Sequence, residues 1–383
     1  MKHFILGFFL LMASMPHAQN LLQFKAPKEY VYFSEQLNDT VKFYVLEHKE
    51  HEHGPNLKLP VVYVFDRQNE FNSNQILNSI DYLSGMGGMP ASLVVSIELK
   101  NEIRGKWTTP KEEGGLGDAF LTSLTDEMES YLKADYPLSK FRLLVGHSRT
   151  AIFSIYALSK RPDFFTGCIA NSAAYFDFGS NYQKKVFETF LEKIKTIPTN
   201  KYLYFSSGQD WYGDGHEASC IKFSQYLDSI DLPENLKWKY VSKKANHFSI
   251  PGIVTADLLN DIFLPYQEFI QKCFEYLKTE PAIEKIQWTK FDEIEMAVEQ
   301  NEELDMHKDL TFYFSVASHY ANDYDGLNKE SKLDLCQQLL ENALLYYPKT
   351  CDFIEWLNEI YTEKKNGMEW VLPPGQECLT FDE

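Results

Sequence analysis

The chain has 383 residues, 37 of them basic and 55 acidic, for a formal net charge of −18. With 44% apolar and 15% aromatic residues it carries ample material for a buried core, which excludes a disordered chain. The negative balance repels nucleic-acid phosphates and anionic lipid, so neither nucleic acid nor a membrane surface is an expected partner.

Residues 1–18 open with Met-Lys-His, continue with the apolar run Phe4–Met12 and end at Ala18. A basic start, a short apolar centre and a small residue before the cut predict a secretory signal peptide, and hence a periplasmic or secreted protein. The apolar run falls far short of the roughly 20 residues needed to cross a bilayer, and no other segment is long enough to span one. The six cysteines (Cys168, Cys220, Cys273, Cys336, Cys351, Cys378) are scattered, without a Cys-x-x-Cys pair. Buried free thiols are expected, with one bridge among the last three.

Two alternating segments, Tyr30–Phe33 and Val41–Leu46, predict short strands. Between them and the next strand, His48, His51 and His53 interleave with Glu and Lys. This reads as a solvated charge run in a loop, not as a metal site. Continuous apolar runs follow at Val61–Phe65, Ser92–Ile97, Phe141–Val145 and Tyr202–Phe205, as expected of strands buried on both faces. Helical stretches separate them, notably Phe120–Ala134, Ala151–Lys160, Tyr182–Ile194 and Glu217–Ser229. Strand–helix alternation predicts an α/β fold, a mostly parallel sheet flanked by helices, with ligands at the carboxyl ends of its strands.

One such end reads Gly146-His-Ser148-Arg-Thr150, between the strand Phe141–Val145 and a helix. A serine on a sharp strand-to-helix turn is held out of the sheet at a helix mouth, where the next backbone N–H can stabilise an oxyanion. The turn demands small residues two before and two after the serine. Gly146 complies, whereas the β-branched Thr150 is expected to crowd the turn. Two polar strand ends follow in the order needed for a base and its acid: Ser206-Ser-Gly-Gln-Asp210, and Asn246-His247-Phe248 after the strand Trp238–Val241. Ser148 is therefore the candidate nucleophile, His247 the base and Asp210 the orienting acid. His216 and Asp214 compete for the last two roles; His247 is preferred because it follows a strand end.

These residues resemble the esterases related to enterochelin esterase and esterase D, within the α/β-hydrolases. The resemblance spans about residues 28–275. It includes Pro60–Asp66, Val94–Glu98 with Arg104 and Thr109-Pro110, the helix Phe120–Tyr131 with Tyr136, Pro162–Phe165, Asn171-Ser172, and His247 with Pro251. It implies a serine-dependent carboxylic-ester hydrolase that needs no cofactor and acts on a small-molecule or glycan-linked ester. Its oxyanion hole would use the backbone N–H groups of Arg149 and Arg67. Arg67, Arg149 and Trp107 are the candidate substrate contacts. The chain departs from the family at two places: its glycine after Asp66 is Arg67 here, and its glycine pair after the serine is Thr150-Ala151. Either change can tune the pocket or mark a catalytically silent binding or assembly protein, and acyl transfer to an alcohol would use the same residues.

Beyond about residue 279 the strand-like runs stop. Leu310–Asn322, Ser331–Tyr347 and about Cys351–Lys364 read as helices, the second ended by Pro348. Ala343–Pro348 followed by a further helix looks either like a plain helical extension or like one degenerate tetratricopeptide unit, able to serve a protein partner or self-association. The expected organisation is a signal peptide (1–18), a hydrolase domain (19–278) and a smaller all-helical region (279–383). The acidity is uneven. Residues 280–383 hold 8 basic and 23 acidic residues, and residues 19–279 hold 28 and 32. An anionic substrate therefore remains compatible with the hydrolase part.

Overall fold

The computed structural model describes residues 23–173, 181–209, 215–279, 285–302, 304, 307–322, 327–364, 367–372 and 377–381. The expected signal peptide lies outside them. The chain begins with the hairpin β1 (Lys28–Ser34) and β2 (Asp39–Leu46), then a single helical turn α1 (Glu50–His53), β3 (Leu59–Val64), α2 (Glu70–Gly85) and β4 (Leu93–Ile97). Helix α3 (Asn101–Trp107) precedes α4 (Gly117–Thr122), which passes through a π-helical stretch (Ser123–Met128) into α5 (Glu129–Asp135). Then come β5 (Leu138–His147), α6 (Arg149–Lys160), β6 (Gly167–Asn171), α7 (Asn181–Ile194), β7 (Lys201–Gly208), α8 (His216–Asp228) and β8 (Leu236–Lys243). The remainder is helical: α9 (Ile250–Ile262), α10 (Leu264–Leu277), α11 (Trp288–Glu302), α12 (Leu310–Asn322), α13 (Lys329–Tyr346) and α14 (Cys351–Glu363).

The eight strands form one sheet in the order β1-β2-β4-β3-β5-β6-β7-β8. β1 and β2 run antiparallel to their neighbours, and every pair from β4 to β8 is parallel. This is the α/β-hydrolase-like architecture expected from the sequence. Every residue of β3, β4, β6 and β7 is buried, which is why those strands read as unbroken apolar runs. The chain leaves β3 towards β4 on one side and later returns to lay β5 on the other. The crevice between the carboxyl ends of β3 and β5 is thus the switch point at which open α/β sheets bind ligands.

Strand β6 has no counterpart among the expected strands, and neither does helix α11. The three later helices fall within two residues of their expected bounds. They pack onto the hydrolase: one apolar cluster joins Leu258, Phe269 and Cys273 to Tyr313, Leu339 and Phe353. A Cys351–Cys378 disulfide fastens the start of α14 to the chain terminus, and the other four cysteines are free and buried.

The histidine run corrects the reading of a solvated loop. His48, His51 and His53 are 4, 6 and 7% exposed, because α1 is roofed by the C-terminal helices. His51 Nδ1 meets Glu47 Oε1 at 2.5 Å, and His53 Nδ1 lies 3.2 Å from Thr350 Oγ1. Among the described residues no group of three or more His, Cys, Asp or Glu side chains is arranged to hold a metal ion.

Between them, Glu50 sits half-buried in this seam. It accepts from Tyr347 Oη (2.5 Å) and the Leu310 N–H (3.2 Å). Nearby, Asp309 accepts from Tyr266 Oη (3.0 Å) and the Phe312 N–H (2.6 Å). Burial, and then the Asp309 carboxylate, push Glu50 up to about 8, and burial raises Asp309 as well. A folded-state value above the unfolded one means that stability is fully present at low pH and lost as pH rises. Stability is therefore expected to fall from about pH 5 to about pH 8. Glu50→Gln keeps both hydrogen bonds, should flatten that fall and should be more stable at pH 8 by upwards of ~1 kcal/mol in urea titrations. Equal pH dependence in both proteins would refute this.

Candidate active site at the carboxyl ends of β3, β5 and β6

Among the described residues, four non-glycine positions have positive φ: Asn38, Asp66, Ser148 and Ser172. Asn38 lies in the β1–β2 turn. The other three stand just past the carboxyl ends of β3, β5 and β6, around the crevice. Backbone held in the left-handed region persists only where its surroundings enforce it, and such strain gathers at functional sites.

Ser148 caps α6 at φ 58° and ψ −115°. Its side chain is half-buried, and its N–H donates to Asn171 O on β6 at 2.9 Å. Gly146 is required here, since a Cβ would come within 2.4 Å of Thr150 O. Thr150 does not crowd the turn as expected. Its side chain is fully buried, and Oγ1 accepts from the His147 N–H at the end of β5 at 2.9 Å. That hydroxyl also lies 2.8 Å from both Asp66 Oδ2 and His147 O, available to donate to either.

Asp66 is the hub of this bracket. Arg104 from α3 engages it with two bonds, Nε to Oδ1 at 2.6 Å and Nη2 to Oδ2 at 2.8 Å, and reaches His147 O at 3.1 Å. A forked guanidinium–carboxylate pair fixes orientation as well as distance. The first turn of the elbow is thereby tied to the end of β3.

His247 is carried by the loop before α9. Asn246 Oδ1 accepts from the Phe248 and Ser249 N–H groups, at 3.0 and 2.9 Å, which folds the loop into an Asx turn. Gly208 at the end of β7 permits the loop to lie close, as a Cβ there would meet Ala245 O at 2.5 Å. His147 Nε2 donates to His247 O at 2.8 Å, so the residue before Ser148 anchors the His247 backbone. Burial holds the His147 imidazole below its ordinary value, consistent with a neutral ring. His247 Nδ1 lies 2.7 Å from Ser172 Oγ, and its ring lies 4.6 Å from that of His147, centroid to centroid. His216, the rival base, starts α8 and stacks on His247 at 4.0 Å, so the site contains both histidines.

Two of the expected site residues are placed differently. The Arg67 N–H donates to Ile97 O at 2.9 Å and so is not available to an oxyanion. The Arg67 guanidinium lies over the Tyr44 ring, 5.1 Å from its centroid. Trp107 is 1% exposed and packs on Phe120, making it a core residue instead of a substrate contact. Arg149 lies beside Ser148 at the start of α6. Its N–H belongs to the first helical turn, which has no intrahelical acceptor. Its side chain is exposed, with one bond of 3.5 Å to Thr109 Oγ1. Asp210 and Asp214 lie outside the described residues.

The sheet order and the strained serine turn define an α/β-hydrolase fold. Residues 34–192 match the family model described as "Putative esterase". Among solved structures the chain is similar to an IroE-like serine hydrolase from Shewanella oneidensis (16% identity, TM-score 0.62, covering 83% of this chain and 100% of that one). It is also similar to an uncharacterised protein from Capnocytophaga ochracea (16%, 0.59, 89% and 90%) and to the siderophore hydrolase EstA from Aspergillus nidulans (15%, 0.51, 66% and 97%). The first two cover too much of the chain to stop at residue 278, so these folds extend into the C-terminal helices. No curated protein matches the chain.

Proposed function

We propose that the protein is a serine-dependent carboxylic-ester hydrolase. The observation that carries this reading is the strained Ser148 turn, bonded through His147 to the loop that presents His247. Ser148 Oγ attacks the ester carbonyl while His247 takes its proton. The N–H of Arg149 at the mouth of α6 stabilises the tetrahedral oxyanion. His247 then protonates the leaving alcohol, and water cleaves the acyl-enzyme by the reverse sequence. Asp210, ahead of Asp214, is the acid that stabilises the charged form of this base. The exposed guanidinium of Arg149 beside the nucleophile suits an ester that carries an anionic group. The first 18 residues fit export, placing the substrate outside the cytoplasm.

A fluorophosphonate probe tests the assignment. Wild-type protein is expected to be labelled on Ser148 and to hydrolyse short-chain aryl esters, and Ser148→Ala to do neither while melting normally. A folded wild type that takes no label and cleaves no ester across aryl, sugar and siderophore-type substrates would overturn it.

A further inference from the structure

The strand that went unread in the sequence has the greatest reach into the site. The last residue of β6, Asn171, accepts the Ser148 N–H at its carbonyl. Its side chain is braced on both sides: Nδ2 donates to Thr255 Oγ1 on α9 at 3.1 Å, and Oδ1 accepts from Ser206 Oγ on β7 at 2.9 Å. Ser172 follows at φ 48°, 1% exposed, with its N–H bonded to Ser206 O at 2.7 Å. That conformation aims Ser172 Oγ at His247 Nδ1, 2.7 Å away. Two consecutive residues thus grip the nucleophile's backbone and the base's ring.

We propose that Ser172 is a positioning residue of His247: its hydroxyl accepts the Nδ1–H bond and thereby fixes which ring nitrogen carries the lone pair of the base. This deepens the esterase reading and rests on it. In a neutral imidazole one nitrogen carries the hydrogen and the other the lone pair, and the partner of one decides the state of the other. With Nδ1–H given to Ser172, the lone pair sits on Nε2, the nitrogen that must take the Ser148 proton. Ser172 Oγ is neither consumed nor charged in the cycle. A hydroxyl, unlike a carboxylate, holds the ring without adding charge, so its share is orientation and not stabilisation of the imidazolium. The strained φ is maintained because the Ser172 N–H is engaged by β7 and the side chain is enclosed.

The test pairs kinetics with the tautomer itself. In full-length 15N-labelled protein, the His247 ring signals are assigned by their loss in His247→Gln. Wild type is expected to show the Nδ1–H form alone. Ser172→Ala should show a mixture of tautomers and a kcat about 10- to 100-fold lower, with KM within about twofold. Ser172→Gly, which relieves the backbone and also lacks the acceptor, should match Ser172→Ala. Ser172→Asp tolerates the left-handed conformation, restores an acceptor, and should recover the Nδ1–H form and most of the rate. Wild-type tautomer and kcat in both Ser172→Ala and Ser172→Gly would overturn the proposal, as would a folded Ser172→Asp no better than alanine. The tautomer readout needs no turnover. A tautomer shift in a wild type that hydrolyses no ester would support the hold on His247 and overturn the esterase reading instead.

Discussion

Replacing His247 with glutamine is expected to lower kcat for an aryl ester by about 10,000-fold or more while leaving KM nearly unchanged. The ring's proposed work is confined to the transition state: it takes the Ser148 proton during attack and returns it to the leaving alcohol. It has no charge with which to hold the ground-state ester, so little uniform binding is lost. Glutamine preserves much of the side chain's bulk, and the loop has its own supports in the Asn246 turn and the bond from His147 Nε2 to the His247 carbonyl. The variant should therefore fold. The residual rate reports the oxyanion donor and substrate positioning alone. His216, stacked on His247, is the control: His216→Gln should retain most of the wild-type rate. If instead His216→Gln is inactive and His247→Gln retains activity, the base has been assigned to the wrong ring.

The largest stability effect in the site is expected at Asp66. Asp66→Ala strips Arg104 of a two-bond partner and leaves a partly buried guanidinium beneath the His147 carbonyl. Removing one member of such a pair costs about 3 kcal/mol. It also removes the β3 partner of Thr150, so the elbow that presents Ser148 is no longer tied to its neighbouring strand. A displacement of the nucleophile by about 1 Å is enough for a rate loss of roughly 100-fold. Two further variants separate the causes. Asp66→Gly relieves the backbone at φ 65° but also loses the pair, and should remain destabilised. Asp66→Asn keeps the shape and tolerates the left-handed conformation, and should recover part of the loss. Urea titration of all three beside the wild type, with kcat measured at low denaturant, checks the ordering. An alanine variant as stable as wild type would show that the bracket holds nothing.

The parts of this molecule that were legible in the sequence are those governed by local pattern. The Val-rich runs at 61–65 and 92–97 are strands because they are buried on both faces, and burial on both faces leaves an unbroken apolar string. Gly146 and Ser148 were legible as a pair because a tight strand-to-helix turn demands a small residue before a strained one. What local pattern could not show is what distant segments do to each other. Gly167-Cys-Ile-Ala-Asn171 has too few bulky or β-branched residues to stand out as a strand, yet it reaches both Ser148 and His247. In α11, Trp288, Phe291 and Ile294 are diluted by carboxylates on either side. The His48–His53 run looks solvated because of its charged neighbours, and is buried only because the chain returns to cover it. Thr150 reads as a steric misfit until Asp66 appears across the crevice as a partner for its hydroxyl. Arg67 illustrates the same limit in the backbone, since nothing in its neighbours indicates that its N–H meets Ile97.

The seam around Glu50 also has a consequence for how the chain is made. The Tyr347 hydroxyl that closes on Glu50 is 297 residues further along the chain. As the polypeptide emerges from its N-terminal end, α1 and the apolar face that includes Leu258 and Phe269 must wait, uncovered, until nearly all of the chain has been synthesised. Contacts between such distant residues close slowly, and exposed apolar surface during the delay invites aggregation. The boundary near residue 279 separates two compositions but not two independent folding events, and a protein cut there would lose the cover from the face that its last three helices occupy.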